Sequence, residues 1–459
     1  MTKPNILFIM TDQQRWDALG CSGGWVRTPN LDRIAAEGIR FPNCVTTTPV
    51  CIPARVTMAT GLYPHNTGVW SNGNYTLPES SRTWMQAIRA AGYRTSLFGK
   101  THLHPHGGDL REREHLMHAY GIDDVDEIGG PRASARLRSH MTARWEAQGL
   151  WKAYQDDYAE RFTNKPHVVR PSVLPLEEYA DTYVGQRAKA YLTEYSRSEP
   201  WCCWVSFGGP HEPWDTPEPY ASMYAPANMP PPAPCPEWCS DLADSELKKR
   251  LQRAPVLHPE DVAAMRANYA GNVTLIDDQI GEILGVIEKR GELENTVIAF
   301  TSDHGELNGD YGLIYKSVSL NGCVRVPLLI RTPNTLGTST GGVCEGPVEW
   351  ADVGPTLAEL AGNPLDYEQF AVSLVPALTD PHSRPRKDAI SEIAGEVMLL
   401  TDEWRIVLNA EGQPYLLFDV RSDPLEQANL AGRSEYADVQ SRLVARVLER
   451  LVQSQTHLT

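Results

Sequence analysis

The chain has 459 residues, enough to bury a large core, and by length alone about two to three domains. Its 41% hydrophobic content and its 12 Trp and 18 Tyr exclude a disordered chain. The formal charge of −16 excludes a general nucleic-acid or anionic-membrane binder, because both need a basic face; a local positive site is still compatible with that total.

In chain order, the first predicted element is a strand, NILFIM (5–10), leading to Asp12 and Gln13. Its apolar part, Ile6 to Met10, is too short for a signal-peptide core and runs into Asp12, and no later run reaches the ~18 apolar residues of a membrane span. With nine cysteines, an odd number, a reducing cytoplasm is the expected compartment. PNLDRIAAEG (29–38) reads as a helix. CIPAR (51–55) places a thiol two residues before a proline suited to a helix start, with Arg55 one turn on. SRTWMQAIRAAG (81–92) is a second helix, and RTSLFG (94–99) a strand ending at Lys100, Thr101 and His102.

Residues 104–180 are charged and lack long apolar runs, so they read as an irregular insertion or lid. WCCWVSFGG (201–209) is a buried strand leading to His211. NMPPPAPCPEW (228–238) is a polyproline-like loop; its Cys235 and Cys239 lack a second thiol pair, so no zinc site is expected. VTLIDDQIGEILGVIEKRG (273–291) is a helix closing on Gly291, and TVIAFTS (296–302) a strand delivering Asp303 and His304. Lys316 precedes another apolar run, VPLLIR. Beyond 364 the short segments EVMLLTD, EWRIVLN and QPYLLFDV suggest a small antiparallel sheet, closed by a helix over 436–453. This organisation predicts an α/β sandwich with a mostly parallel sheet over 1–370 and a C-terminal subdomain over 371–459.

In open sheets ligands bind beyond the carboxyl ends of the strands. Four strands ending in Asp12–Gln13, Lys100–His102, His211 and Asp303–His304 would gather these groups on one edge. Asp12, Asp303, His304 and the amide oxygen of Gln13 could hold one hard or borderline divalent cation. The plainer reading is that strand-end aspartates cap the following helices. Arg55, Lys100, His102, His211 and Lys316 would add a pocket selective for a compact anion such as sulfate or phosphate. In THLHPH (101–106) alternation leaves His102 alone facing the site, with His104 and His106 in solvent or on the lid. Cys51, at a helix N-terminus beside a cation, is either an activated thiol or a small buried residue, and on this stretch alone the buried residue is the plainer reading.

With these residues in place, the sequence resembles the type I sulfatases of the alkaline phosphatase superfamily. CIPAR matches the family's C-x-P-x-R signature, and TDQQRWDALGCSGG, TPNLDRIAAEGIRF, GLYPHNTGV, GKTHLH, GPHEPW, TSDHGE and YKSVSLNGCVRVP follow in family order. The resemblance implies an alkaline-phosphatase-like α/β/α fold with a small C-terminal subdomain. It implies that Cys51 becomes formylglycine through a formylglycine-generating enzyme, and that Arg55 supports it. Asp12, Gln13, Asp303 and His304 match the metal positions, together with residue 51. Lys100, His102, His211 and Lys316 match the remaining catalytic positions. One hydroxyl of the hydrated aldehyde would attack sulfur while His211 or Lys316 protonates the departing alcohol. The second, deprotonated with help from His102, would then expel sulfate.

Three departures mark this member. Ala54 stands where many relatives have serine. Gln13 and His304 replace a frequent aspartate and asparagine, which moves the expected metal from Ca2+ toward Mn2+ and resembles the phosphonate monoester hydrolase branch. The lysine and histidine of GKTHLH remain those of true sulfatases. The expected substrate is a small anionic sulfate ester, aryl or organic. The rivals are a phosphonate monoester or phosphodiester hydrolase, and a binding protein with Cys51 unmodified. Trp- and Pro-rich surface loops are compatible with a homo-oligomer.

Overall fold

The computed structural model describes residues 3–164, 167–338 and 341–456. Its centre is an eight-stranded sheet, in spatial order Asp124–Glu127, Arg94–Gly99, Trp201–Ser206, Asn5–Thr11, Thr296–Ser302, Leu328–Arg331, Ile39–Arg40 and Gly342–Val343. The first five run parallel; Leu328–Arg331 runs against both of its neighbours, so the sheet is mixed but mostly parallel.

Why these runs are apolar throughout is visible in Asn5–Thr11. Ile6, Phe8 and Met10 enter one core, with Trp84 and Trp204, while Leu7 and Ile9 enter the other, with Ile276, Ile280 and Ile283 of the long helix Pro259–Lys289. A strand covered on both faces has no polar side to show. The predicted α/β/α sandwich is therefore the observed one. Successive strands end on the same edge, where Asp12, Lys100, His211 and Asp303 follow within a few residues.

Two sequence readings need correction. The 104–180 segment is not irregular: it supplies the edge strand Asp124–Glu127, the helices His140–Ala147 and Trp151–Asn164, and the buried core residues Met141, Trp145 and Tyr154. The strand escaped notice because its residues, DVDE, are polar. Their charges are satisfied laterally: Asp124 accepts from Arg94 Nε at 2.8 Å and Asp126 from Arg187 Nε at 2.7 Å. The helix predicted over 273–291 begins at Pro259, where His258 and Asp261 form a capping box. Its first half contains buried Arg266, Asn268 and Asn272, which blur the apolar pattern.

The C-terminal strands Ala389–Ile393, Glu396–Leu400, Trp404–Leu408 and Pro414–Asp419 form the expected antiparallel sheet, covered by the helix Ala437–Gln453 through Leu443 and Val447. This sheet reaches the main body just before Cys51, where the Glu392 amide donates to the Thr47 carbonyl at 2.8 Å. No helix among the described residues is long and apolar enough to cross a membrane.

Candidate active site

The helix Cys51–Thr60 is buried along its whole length and ends on Gly61, whose φ of 74° is the left-handed geometry of a helix stop. It starts at Cys51 itself, two residues earlier than the proline suggested. Pro53 still lies in the first turn, where its missing N–H is not needed. The thiol thus occupies the first helical position, at the positive end of the helix. Cys51 Sγ lies 3.1 Å from Lys316 Nζ, 3.1 Å from His304 Nε2 and 3.9 Å from Asp12 Oδ1. Burial by itself would raise the thiol pKa, but Lys316, Lys100 and His304 outweigh it and hold it well below the usual value.

Asp12, Cys51, Asp303 and His304 each present one donor atom within 4.8 Å of the others, and all four are buried. Arg55, fully buried, braces the carboxylates from behind: Nε donates to Asp303 Oδ2 at 2.8 Å, one terminal nitrogen to the Lys100 carbonyl at 2.7 Å, and the other lies 3.5 Å from Asp12 Oδ2. Burial opposes ionisation of Asp12, and so does the Cys51 thiolate. Lys100, His211 and Lys316 nevertheless keep its carboxyl well below the usual range. Burial pushes the His304 imidazole down, and Asp303 more than compensates. Two carboxylates and an imidazole, buried and facing one another, suit a divalent cation, which would displace the imidazole proton.

Gln13 sits beside this group. Its Oε1 accepts from Lys316 Nζ at 2.6 Å, and its Nε2 donates to Glu212 at 2.7 Å and to Glu306. One lone pair of the amide oxygen is used on Lys316, and a second is left. Lys316 is not a solvated lysine: it is held between Gln13 and Cys51, and its charged form is favoured despite burial by Cys51, Asp12 and Glu212. Lys100 Nζ pairs with Asp12 Oδ2. His211 Nδ1 lies 2.7 Å from the Glu212 carbonyl and 3.3 Å from that residue's carboxylate.

The histidine segment departs from the sequence reading. His102 does line the site, but φ at His102 is 60°, which turns the chain out of an extended path. His106 therefore comes back onto it, with ring centroids 4.2 Å apart, and also lines the cavity. His104 is buried, with Nε2 2.8 Å from Glu127 Oε2; His106 Nε2 lies 3.3 Å from the other carboxylate oxygen. Neither is a solvent or lid residue. Burial, Lys100 and His106 depress the His102 pKa well below normal, so that imidazole is neutral.

Above these groups opens a cavity of about 550 Å³, within the range of small-molecule sites and larger than a bare anion needs. Sequence reasoning missed several of its walls: Asn72, whose Oδ1 accepts from the Ile52 amide at 2.9 Å, Arg132, Arg136, Arg250 and Tyr315. It also missed Glu212 and Glu306, although both sit inside motifs already singled out, PHEPW and TSDHGE. A further signal is backbone conformation. Gln13, His102, Tyr315 and Ser317 all have φ between 60° and 76°, half of the non-glycine residues in that region among the described residues. Such strain collects where a surrounding structure holds reactive groups in place.

Known proteins resemble this chain along most of its length. The sulfatase family model matches residues 4–363. The ulvan-active sulfatase of Formosa agariphila is 28% identical over 98% of this chain and 82% of its own length. The choline-sulfatase of Rhizobium meliloti is 30% identical, covering 94% of this chain and 82% of its own. Among solved structures, the phosphonate monoester hydrolase of Silicibacter pomeroyi superposes with a TM-score of 0.82 at 25% identity, over 99% of this chain and 96% of that one.

Proposed function

We propose, since this chain belongs to the sulfatase family, that it hydrolyses small aryl or organic sulfate esters through residue 51. In this reading the Cys51 thiol stands where the formylglycine made from it, by a formylglycine-generating enzyme, would carry the reacting oxygens. The observation that carries the proposal is the joint placement of Cys51 Sγ against Lys316 Nζ and His304 Nε2, both at 3.1 Å, at the floor of an open cavity. An inert buried cysteine would have no reason to be surrounded by cations.

Asp12, Asp303 and His304, with the free lone pair of Gln13, would hold a divalent cation, Mn2+ or Ca2+, whose chemistry is to polarise the nucleophile and the sulfate oxygens. The chain's own groups do the rest. Lys100 and Lys316 supply positive charge to a sulfate lying over residue 51, and Arg55 fixes the carboxylates. His211 lines the same cavity, with its Nδ1 2.7 Å from the Glu212 carbonyl and 3.3 Å from that residue's carboxylate. In this reading His211 or Lys316 passes a proton to the departing alcohol. The neutral His102 can accept one from residue 51 in the second half of the reaction. Residues 1–370 form the catalytic unit of this proposal, with 371–459 bracing it. With Cys51 converted, eight cysteines remain as free thiols among the described residues, which supports a cytoplasmic setting in this reading.

Hydrolysis of phosphonate monoesters is the second reading, favoured by Gln13 and His304 in the donor set. Two measurements decide. Peptide mass spectrometry across residues 46–60 of protein from its native host should show the aldehyde; an intact thiol alone rejects it. Kinetics on matched aryl sulfates and phosphonates should give the higher kcat/KM to the sulfate, and the reverse order gives the function to phosphorus.

A further inference from the structure

The upper wall of the cavity carries charge that the reaction does not use. Its floor meets sulfate with Lys100, Lys316 and His211. Its rim adds three guanidiniums: Arg132 from the short helix Pro131–Ser134, Arg136 two residues beyond that helix, and Arg250 from the helix Glu246–Gln252. Against them the cavity lining offers a single carboxylate, Glu212. That carboxylate is already engaged by one terminal nitrogen of Arg132 and by Gln13 Nε2 at 2.7 Å.

The guanidiniums are held in place yet incompletely satisfied. Arg132 lies over the Phe162 and Tyr315 rings, at 4.8 and 5.2 Å from their centroids, and its buried Nε has no hydrogen-bond partner among the described residues. Arg250 donates to the Ile314 carbonyl at 2.8 Å and packs 5.8 Å from the Tyr315 centroid; its Nε, also buried, is likewise unpartnered. Arg136 is exposed, and neither it nor Arg250 forms an ion pair among the described residues. In a chain with 58 acidic residues against 42 basic ones, three guanidiniums gathered around one cavity with a single carboxylate among them leave a local excess of positive charge for a ligand to meet. A planar guanidinium fork matches the paired oxygens of a carboxylate or sulfate, which an alkyl or ammonium group cannot provide.

We propose that the alcohol portion of the substrate bears a second anionic group, a carboxylate or a further sulfate, bound at the rim by Arg136 and Arg250 with Arg132. This rests on the sulfate-ester reading of the floor and adds the class of alcohol. A neutral aromatic alcohol would leave the rim unsatisfied, and a cationic one would be repelled by it.

The test is a calorimetric titration of the manganese-loaded protein with two non-hydrolysable sulfonates, 4-sulfobenzoate and 4-carbamoylbenzenesulfonate, in which a neutral amide replaces the carboxylate. Charge-assisted hydrogen bonds at the rim should make the carboxylate bind about tenfold tighter or better. In the Arg136→Gln, Arg250→Gln double variant that ratio should fall toward one. The single Arg136→Gln variant, altered only at an exposed side chain, should lower it in part and guards against misfolding of the double variant. Equal binding of the two sulfonates by the unaltered protein, or an unchanged ratio in both variants, overturns the proposal. No turnover is read in this titration. A lost preference therefore removes the rim site alone, and kinetics on the esters decides the floor separately.

Discussion

Removing Arg55 is the most direct probe of how the acidic floor is held together. Its guanidinium has no solvent exposure, and it bonds Asp303 Oδ2 at 2.8 Å while lying 3.5 Å from Asp12 Oδ2. Asp303 Oδ1 keeps its two backbone donors, Gln13 N at 3.1 Å and His304 N at 2.9 Å. Arg55→Met preserves length and most of the packing but leaves Oδ2 of Asp303 buried without its cation. Deleting one partner of a buried ion pair costs about 3–5 kcal/mol. Asp12 retains Lys100, which argues for the lower half of that range. Urea denaturation in the presence of a chelator should therefore show a loss of about 3 kcal/mol. A saturating divalent cation supplies the missing counter-charge, so the deficit should narrow markedly in its presence. A chelated deficit below about 1 kcal/mol, or one that the metal leaves unchanged, would refute the view that Arg55 acts by neutralising these carboxylates.

Cys51→Ala should abolish turnover of sulfate esters while leaving manganese stoichiometry largely intact by elemental analysis, because Asp12, Asp303 and His304 remain; near-normal activity would end the nucleophile assignment. Asp181 Oδ1 accepts from the amides of Gly208 and Gly209 at 3.0 and 2.9 Å, just before His211, and burial pushes its carboxyl up to about 6. A folded-state pKa above the unfolded one means the buried charge destabilises above pH 6 and not below pH 4. Asp181→Asn, which keeps an acceptor for both amides, should thus gain on the order of 2 kcal/mol at pH 8 and nothing near pH 4 in denaturation experiments. A pH-independent difference would disprove this. His65 is pushed down by burial but more strongly up by Glu392, 2.6 Å from its Nδ1, so its folded pKa is raised. The stability it contributes is complete below its unfolded value near 6.5 and is lost as pH rises through the raised folded value. His65→Gln should accordingly cost more at pH 6 than at pH 9 by thermal melting.

The central strands were legible because they are buried on both faces, and such burial leaves an unbroken apolar run. NILFIM, RTSLFG and TVIAFTS stand as strands within a residue of their predicted ends, and WCCWVSFGG as one that stops three residues early, at Ser206. The edge strand Asp124–Glu127 was not legible, since its carboxylates are neutralised by arginines and histidines distant in sequence. The same reason hid His104 and His106. An alternation rule assumes an extended chain, and a single left-handed residue at His102 breaks that assumption.

By itself the sequence determined the family, the doubly covered sheet, and the residue types at its carboxyl edge. These are properties of local pattern: apolar runs, strand-end residues and the order of short motifs. Only the tertiary structure decided which of those groups meet. It brought Lys316 onto Cys51 from 265 positions away in the chain, turned Gln13 toward Lys316 and two glutamates, and raised three arginines from separate loops and short helices around one cavity. Contacts of that kind depend on how packed layers place distant segments side by side, and no periodicity within a segment encodes them.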